Sequence, residues 1–76
     1  MDFQQYIEVN PKIMMGKPII KGTRITIEQI LEELSAGYSI EEIIKIHPHL
    51  NTGQISAALA FAAQSIRGDE IYSVAV

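Results

Sequence analysis

A chain of 76 residues, 47% apolar but only 7% aromatic, supports one small domain, whose folding hides only about 60% of the surface that the unfolded chain exposes. Such a core is marginal for a monomer, and an apolar supply made mostly of Ile, Leu and Ala suits packed helices that associate as a homodimer. The absence of cysteine excludes disulfide staples and thiolate metal sites, and a net charge of −3 argues against wholesale coating of nucleic acid.

Residues 1–25 read as an extended basic arm. Residues 1–26 hold Lys12, Lys17, Lys21 and Arg24 against Asp2 and Glu8, whereas Glu28, Glu32, Glu33, Glu41 and Glu42 meet only Lys45 in the following twenty. The beginning, MDFQQYIEV, lacks the positive region and long apolar run of a signal peptide, and the longest near-apolar stretch, Ala57 to Ala63, is far too short to span a bilayer. These features predict a cytoplasmic protein without membrane contact. Tyr6 to Val9 alternates as a strand does, and Ile19-Ile20 and Arg24-Ile25 flank a turn at Lys21-Gly22-Thr23. Gly16 and Gly22 suit turn positions that demand positive φ. The stretch GKPIIKGT superficially resembles a phosphate loop, but Gly22 is followed by Thr23 where that motif needs Lys, and Pro18 with the Ile pair favours extended backbone. No nucleotide or other cofactor is expected.

Residues 26–67 read as a three-helix core, because one start signal occurs three times. Thr26 with Gln29, Ser39 with Glu42, and Asn51 with Gln54 have the spacing of capping boxes, the third being the loosest. Each is flanked by a hydrophobic staple: Ile25 and Ile30, Tyr38 and Ile43, Leu50 and Ile55. The first helix carries Ile27, Ile30, Leu31 and Leu34 at helical spacing and stops at Gly37. The second is short, turns Ile40, Ile43 and Ile44 inward, and ends before Pro48. The third runs from about Thr52 to Arg67, with Ile55, Leu59, Ala62 and Ile66 on one stripe, Phe61 beside it and Gly68 as its stop. Its alanines permit close approach of another helix. Residues 68–76 close the chain as a terminal strand or tail, Ile71-Tyr-Ser-Val-Ala-Val76 being a β-type run.

Catalytic and metal chemistry find little support. His47 and His49 straddle Pro48 without a carboxylate in the segment to complete a coordination sphere, so His47 is expected to contact the carbonyls that end the second helix. No serine is arranged with a histidine as an activated nucleophile, and the chain reads as no enzyme. One constellation remains: a short helix, a break at residues 47–50 and a longer helix have the proportions of a helix-turn-helix. Asn51, Thr52, Gln54 and Ser56 at the start of the last helix are then candidates to read DNA bases, although the same residue types serve as caps.

The stretch NPKIMMGKPIIKGTRIT at residues 10–26, followed by AGYSIEEI at residues 36–43 and by His47-Pro48-His49-Leu50 before an alanine-rich helix, resembles the bacterial and archaeal family called domain of unknown function 433. The resemblance spans about residues 6–66, and its signature falls on Gly16, Lys17, Pro18, Ile20, Gly22, Thr23, Arg24 and Ile25. It implies a homeodomain-like helical core behind short strands. It also implies the antitoxin half of a toxin–antitoxin pair, related to VapB-type proteins, with a PIN-like nuclease as the toxin and promoter DNA bound through the helix-turn-helix. On that reading Lys17, Lys21 and Arg24 meet a carboxylate-lined nuclease site or DNA phosphates. A structural alternative pairs Arg24 with Glu28 and leaves the lysines to keep an edge strand soluble. An interaction module that never touches DNA and a stand-alone transcriptional regulator are the rival functions. The apolar tail departs from the charged tail of many members and points to strand pairing between subunits.

Overall fold

The computed structural model describes residues 3–68. Strand β1 (Ile7–Glu8) leads through a 3-10 turn at Met14–Gly16 to β2 (Ile19–Ile20), followed by helices α1 (Ile27–Ser35), α2 (Ile40–Ile46) and α3 (Thr52–Gly68). The expected three helices and N-terminal strands are present. The strand expected within residues 71–76 lies outside the described residues.

The sheet is small but tied on both sides of its middle strand. β1 and β2 run antiparallel with Ile7 opposite Ile20 and Glu8 opposite Ile19, and the Lys21 amide extends the pairing by donating to the Tyr6 carbonyl at 2.7 Å. On the other side the Ile20 amide donates to the Ile25 carbonyl at 2.9 Å, and Ile19 forms a bridge with Thr26. The return limb is therefore Ile25-Thr26, one residue later than the sequence suggests. Successive strand side chains point to opposite faces, and here both are fully buried, which is why an unbroken Ile-Ile pair replaces alternation. The turn between the limbs is locked by Thr23. Its hydroxyl donates to the Ile20 carbonyl at 2.7 Å and accepts from the Ile25 amide at 3.0 Å, while Gly22 takes φ +84°, a region open to glycine at little cost.

Each helix begins where its side-chain signal stands, with differences in how each cap is closed. Thr26 Oγ1 accepts the Gln29 amide at 2.9 Å, but the Gln29 side chain reaches forward to Glu33 at 3.4 Å, so only half of that box forms. Ser39 and Glu42 close theirs reciprocally. So do Asn51 and Gln54, at 2.8 and 2.9 Å, making the apparently loosest box complete. α1 ends in a Schellman arrangement: the Tyr38 amide donates to the Glu33 carbonyl, the Gly37 amide donates to the Leu34 carbonyl, and Gly37 has φ +100°.

The core joins Ile20 of β2 to Ile27 and Ile30 of α1, Ile43 of α2, Leu50, and Ile55, Ala57 and Ala58 of α3. α3 is consequently buried over its first turns only. Leu59 and Ile66, expected on the inward stripe, stand 40% and 57% exposed, whereas Phe61 and Ala62 are half-buried and Phe61 packs against the core, so the inward face is turned from the expected stripe toward Ala58 and Phe61. Two of the alanines expected to receive another helix, Ala57 and Ala58, are used inside the domain. A further departure from the sequence reading is that Met14 and Met15 both adopt left-handed backbone, φ 49° and 58°, ahead of Gly16 at φ 80°. Left-handed backbone costs a non-glycine residue about 1–2 kcal/mol, and this turn is held by hydrogen bonds from Gly16 N to Ile13 O and from Lys17 N to Met14 O.

The Thr23 hydroxyl joins both limbs of the turn, so Thr23→Val, which keeps the shape and deletes the two hydrogen bonds, should cost about 1–3 kcal/mol in urea unfolding. An unchanged midpoint would show that the backbone alone holds the turn.

Candidate functional site

Four cations precede the helices, and the fold sorts the three within residues 17–24 by partner. Lys17 Nζ donates to Glu28 Oε1 at 3.0 Å in an ion pair whose side chains are 47% and 59% exposed. A pair so open to solvent contributes about 0–1 kcal/mol, but it neutralises the Lys17 charge. Glu28 is thus the partner of Lys17, and the Arg24–Glu28 pairing considered from the sequence does not form. Lys21 Nζ donates to the Gln4 carbonyl at 2.9 Å, which ties the start of the chain to β2. That acceptor is neutral, and Lys21 keeps its full charge. Arg24 is exposed, and no described residue gives it a hydrogen bond or an ion pair. The turn at residues 21–24 therefore presents two uncompensated cations, one of them an arginine on backbone fixed by Thr23.

Gly16, Gly22 and Thr23 serve this presentation through the backbone. Gly16 closes the left-handed turn before Lys17, Gly22 opens the turn at residues 21–24, and Thr23 locks it. The Pro18 carbonyl accepts the Ile27 amide at 3.0 Å, so the same segment also satisfies one free donor at the start of α1.

Between α2, which ends at Ile46, and α3, which opens at Thr52, residues 47–51 form the connection. Asn51 and Thr52 are exposed, whereas Gln54 and Ser56 are half-buried. The side-chain oxygens of Asn51 and Gln54 are both engaged in the reciprocal cap, so only their NH2 groups remain to donate outward. Gly53 lies against the arm: a Cβ there would stand 3.3 Å from Asn51 Oδ1 and 3.7 Å from Tyr6 Oη. Tyr6 thus flanks the helix start proposed for base contact, a neighbour that residues 47–58 give no hint of.

His47 differs from its sequence reading. Its Nε2 lies 2.9 Å from Glu33 Oε2 and 3.1 Å from Oε1, with side chains 14% and 18% exposed, which joins the end of α2 to α1. The partner was hard to foresee because Glu33 sits 14 residues earlier on a helix whose orientation only the fold fixes. Among the described residues no group of three His, Cys, Asp or Glu is placed to hold a metal ion, and no helix is long and apolar enough to cross a membrane.

A separate feature is an apolar groove of about 580 Å³ between α1 and the far half of α3, walled by Pro18, Ile27, Leu31, Phe61, Ala62 and Ile66, with the Lys17–Glu28 pair among its lining residues. A smaller hollow of about 390 Å³, lined by Phe3, Phe61, Gln64, Ser65 and Gly68, shares Phe61 and Ser65 with it. Phe3 and Phe61 meet edge to face at 5.8 Å.

Comparison with known proteins places this arrangement in a family. An uncharacterized protein, y4eO, of Sinorhizobium fredii is 29% identical over 66 residues, which are 86% of this chain and 30% of that protein. The crystal structure of a DUF433 member protein from Anabaena variabilis superposes with a TM-score of 0.80 at 25% identity, covering 86% of this chain and 64% of the other. The chain thus spans less than two thirds of the length of either relative. The family model described as "Protein of unknown function (DUF433)" matches residues 7–62, and the chain belongs to that family.

Proposed function

We propose that this chain is a non-catalytic binding protein, the antitoxin half of a toxin–antitoxin pair, and that it neutralises a PIN-like nuclease through the turn at residues 21–24. One observation carries the reading: Arg24 stands exposed, without a partner among the described residues, on a turn whose backbone Thr23 and Gly22 fix. Fixed backbone removes part of the ordering cost when the guanidinium meets a carboxylate, which it can bind through two parallel hydrogen bonds. Lys21 supports Arg24 with a charge that its carbonyl partner leaves intact. Lys17, spent on Glu28, contributes to the walls of the arm more than to its field. The assignment to toxin–antitoxin pairs comes from the family resemblance, and the nuclease partner is chosen because gathered metal-binding carboxylates complement this turn.

Homodimer formation and promoter binding belong to the same proposal. Leu59 and Ala63 are exposed four residues apart on α3, a face suited to a second copy. The break between α2 and α3 supports the DNA reading, with Thr52 and the free NH2 groups of Asn51 and Gln54 turned to that use. Glu41 and Glu42 at the start of α2 oppose it by repelling phosphate. If DNA contact fails, a pure interaction module takes its place, with the arm directed to protein alone.

The decisive variant is Arg24→Glu. In co-purification with the product of the adjacent reading frame, it should weaken the complex by at least about 2 kcal/mol, roughly thirtyfold in Kd, while the helical circular-dichroism signal stays intact. Undiminished binding would remove the turn from the interface. Light scattering at micromolar concentration should give about twice the 8.4 kDa chain mass, and a clean monomer would sink the dimer. For DNA, Gln54→Ala should lower the melting temperature by about 4–8 °C, as expected for an N-terminal cap worth about 1 kcal/mol. If promoter duplex binds no better than random duplex at any salt concentration, with or without the partner, the regulatory half of the reading is wrong.

A further inference from the structure

We infer that the groove between α1 and α3 is where a second copy of this chain docks, about a two-fold axis, with Arg67 of each copy meeting Glu32 of the other. The inference rests on the homodimer proposed above and names its interface. Leu31 and Ile66 both stand on the groove wall, Leu31 half-buried and Ile66 57% exposed. Covering such apolar surface is favourable in proportion to the area removed from water. Leu59, Ala63 and Ile66 follow one another at intervals of four and three residues, so the exposed face of α3 suited to a second copy runs into the groove wall.

Charge selects a second copy from the occupants that an apolar groove admits. The side chains of Glu32 on α1 and of Arg67 in the last turn of α3 are both exposed, and neither has a partner among the described residues. Each follows an apolar groove residue in the sequence, Glu32 after Leu31 and Arg67 after Ile66. An occupant that suits the wall formed by Leu31 and Glu32 therefore carries an apolar side chain with a cation beside it. The chain's own Ile66-Arg67 has that pattern. Two-fold docking makes each contact twice: Leu31 and Ile66 of both copies close into one apolar cluster, flanked by two Arg67–Glu32 pairs. The groove residues come from Lys17-Pro18, α1 and α3, which leaves the turn at residues 21–24 outside the interface.

The test is sedimentation equilibrium of the full chain at low salt, about 50 mM, where screening between charges is weak. Arg67→Glu and Glu32→Arg each set like charges against one another at both contacts. Each should raise the dimer Kd about tenfold or more, as should Ile66→Asp, with the helical circular-dichroism signal unchanged. An equal mixture of the Arg67→Glu and Glu32→Arg chains restores opposite charges at both contacts, and its mixed dimer should have a Kd within about threefold of the unaltered one. Complementation on mixing requires the two charges to lie on different copies, which a contact within one chain does not reproduce. Single variants that weaken the dimer without recovery on mixing would overturn the pairing of Arg67 with Glu32. An unaltered chain that dimerises, with a Kd that none of the three substitutions moves, would remove the groove from the interface and leave the homodimer standing. A monomeric unaltered chain would overturn both the homodimer and this account of it.

Discussion

The burial of Ile19 and Ile20 on a strand paired along both edges is the constraint on which the remaining architecture rests. β1 hydrogen-bonds one edge and Ile25-Thr26 the other, so two residues of strand serve as the middle of a three-limbed unit. A two-stranded ribbon is marginal in water by itself. Here it is stabilised by two fully buried isoleucines, each contributing roughly 1.5–3 kcal/mol. The consequence runs forward along the chain. Thr26 is at once the outer bridge residue and the N-cap of α1, and Pro18 accepts the Ile27 amide. The sheet thereby sets where α1 begins, and the Schellman turn at Gly37 and the His47–Glu33 contact then carry that placement to α2.

The same strand accounts for the crowd of cations in an acidic protein. Lys17 sits just before it and is drawn to Glu28, because the Pro18–Ile27 hydrogen bond sets the two segments side by side. Lys21 sits just after it, beside β1, and reaches the Gln4 carbonyl. Only Arg24, at the tip of the turn, is carried away from both. Charge in this stretch thus has two uses, fastening the arm and facing outward, and position relative to Ile19 and Ile20 decides which use each residue has.

Local signals were legible in the sequence and tertiary choices were not. Ser39 with Glu42, Asn51 with Gln54, and Gly37 mark helix ends through hydrogen bonds made within a few residues, so their meaning survives without knowledge of the fold. The side of α3 that meets the core is different in kind. Apolar spacing offered a stripe through Leu59 and Ile66, but burial follows where α1 and α2 lie, and those helices cover Ile55, Ala57 and Ala58. Charge partners failed for the same reason: Lys17 finds Glu28 and His47 finds Glu33 across 11 and 14 residues. The left-handed backbone at Met14 and Met15 had no sequence signal at all, since methionine has no preference for it. Of the candidate site, the turn and its glycine were readable, and which of Lys17, Lys21 and Arg24 lacks a partner among the described residues was not.

The arm and the start of α3 form one body. Lys21 donates its amide to Tyr6, and the Tyr6 ring lies against Gly53 in the first turn of α3. Two contacts therefore link the exposed turn at residues 21–24 to the helix start that carries Asn51 and Thr52. Movement of the turn would unseat Ile20, which is packed with Ile55 in one cluster, and an interior packed at crystal-like density does not yield by small amounts. A partner that grips Arg24 consequently meets a preformed surface, and any effect it has on α3 must come from its own bulk or charge near Tyr6 and Gly53. Communication by shape change would require the two-residue strand to leave the core, which would cost the burial of both isoleucines on which the fold rests.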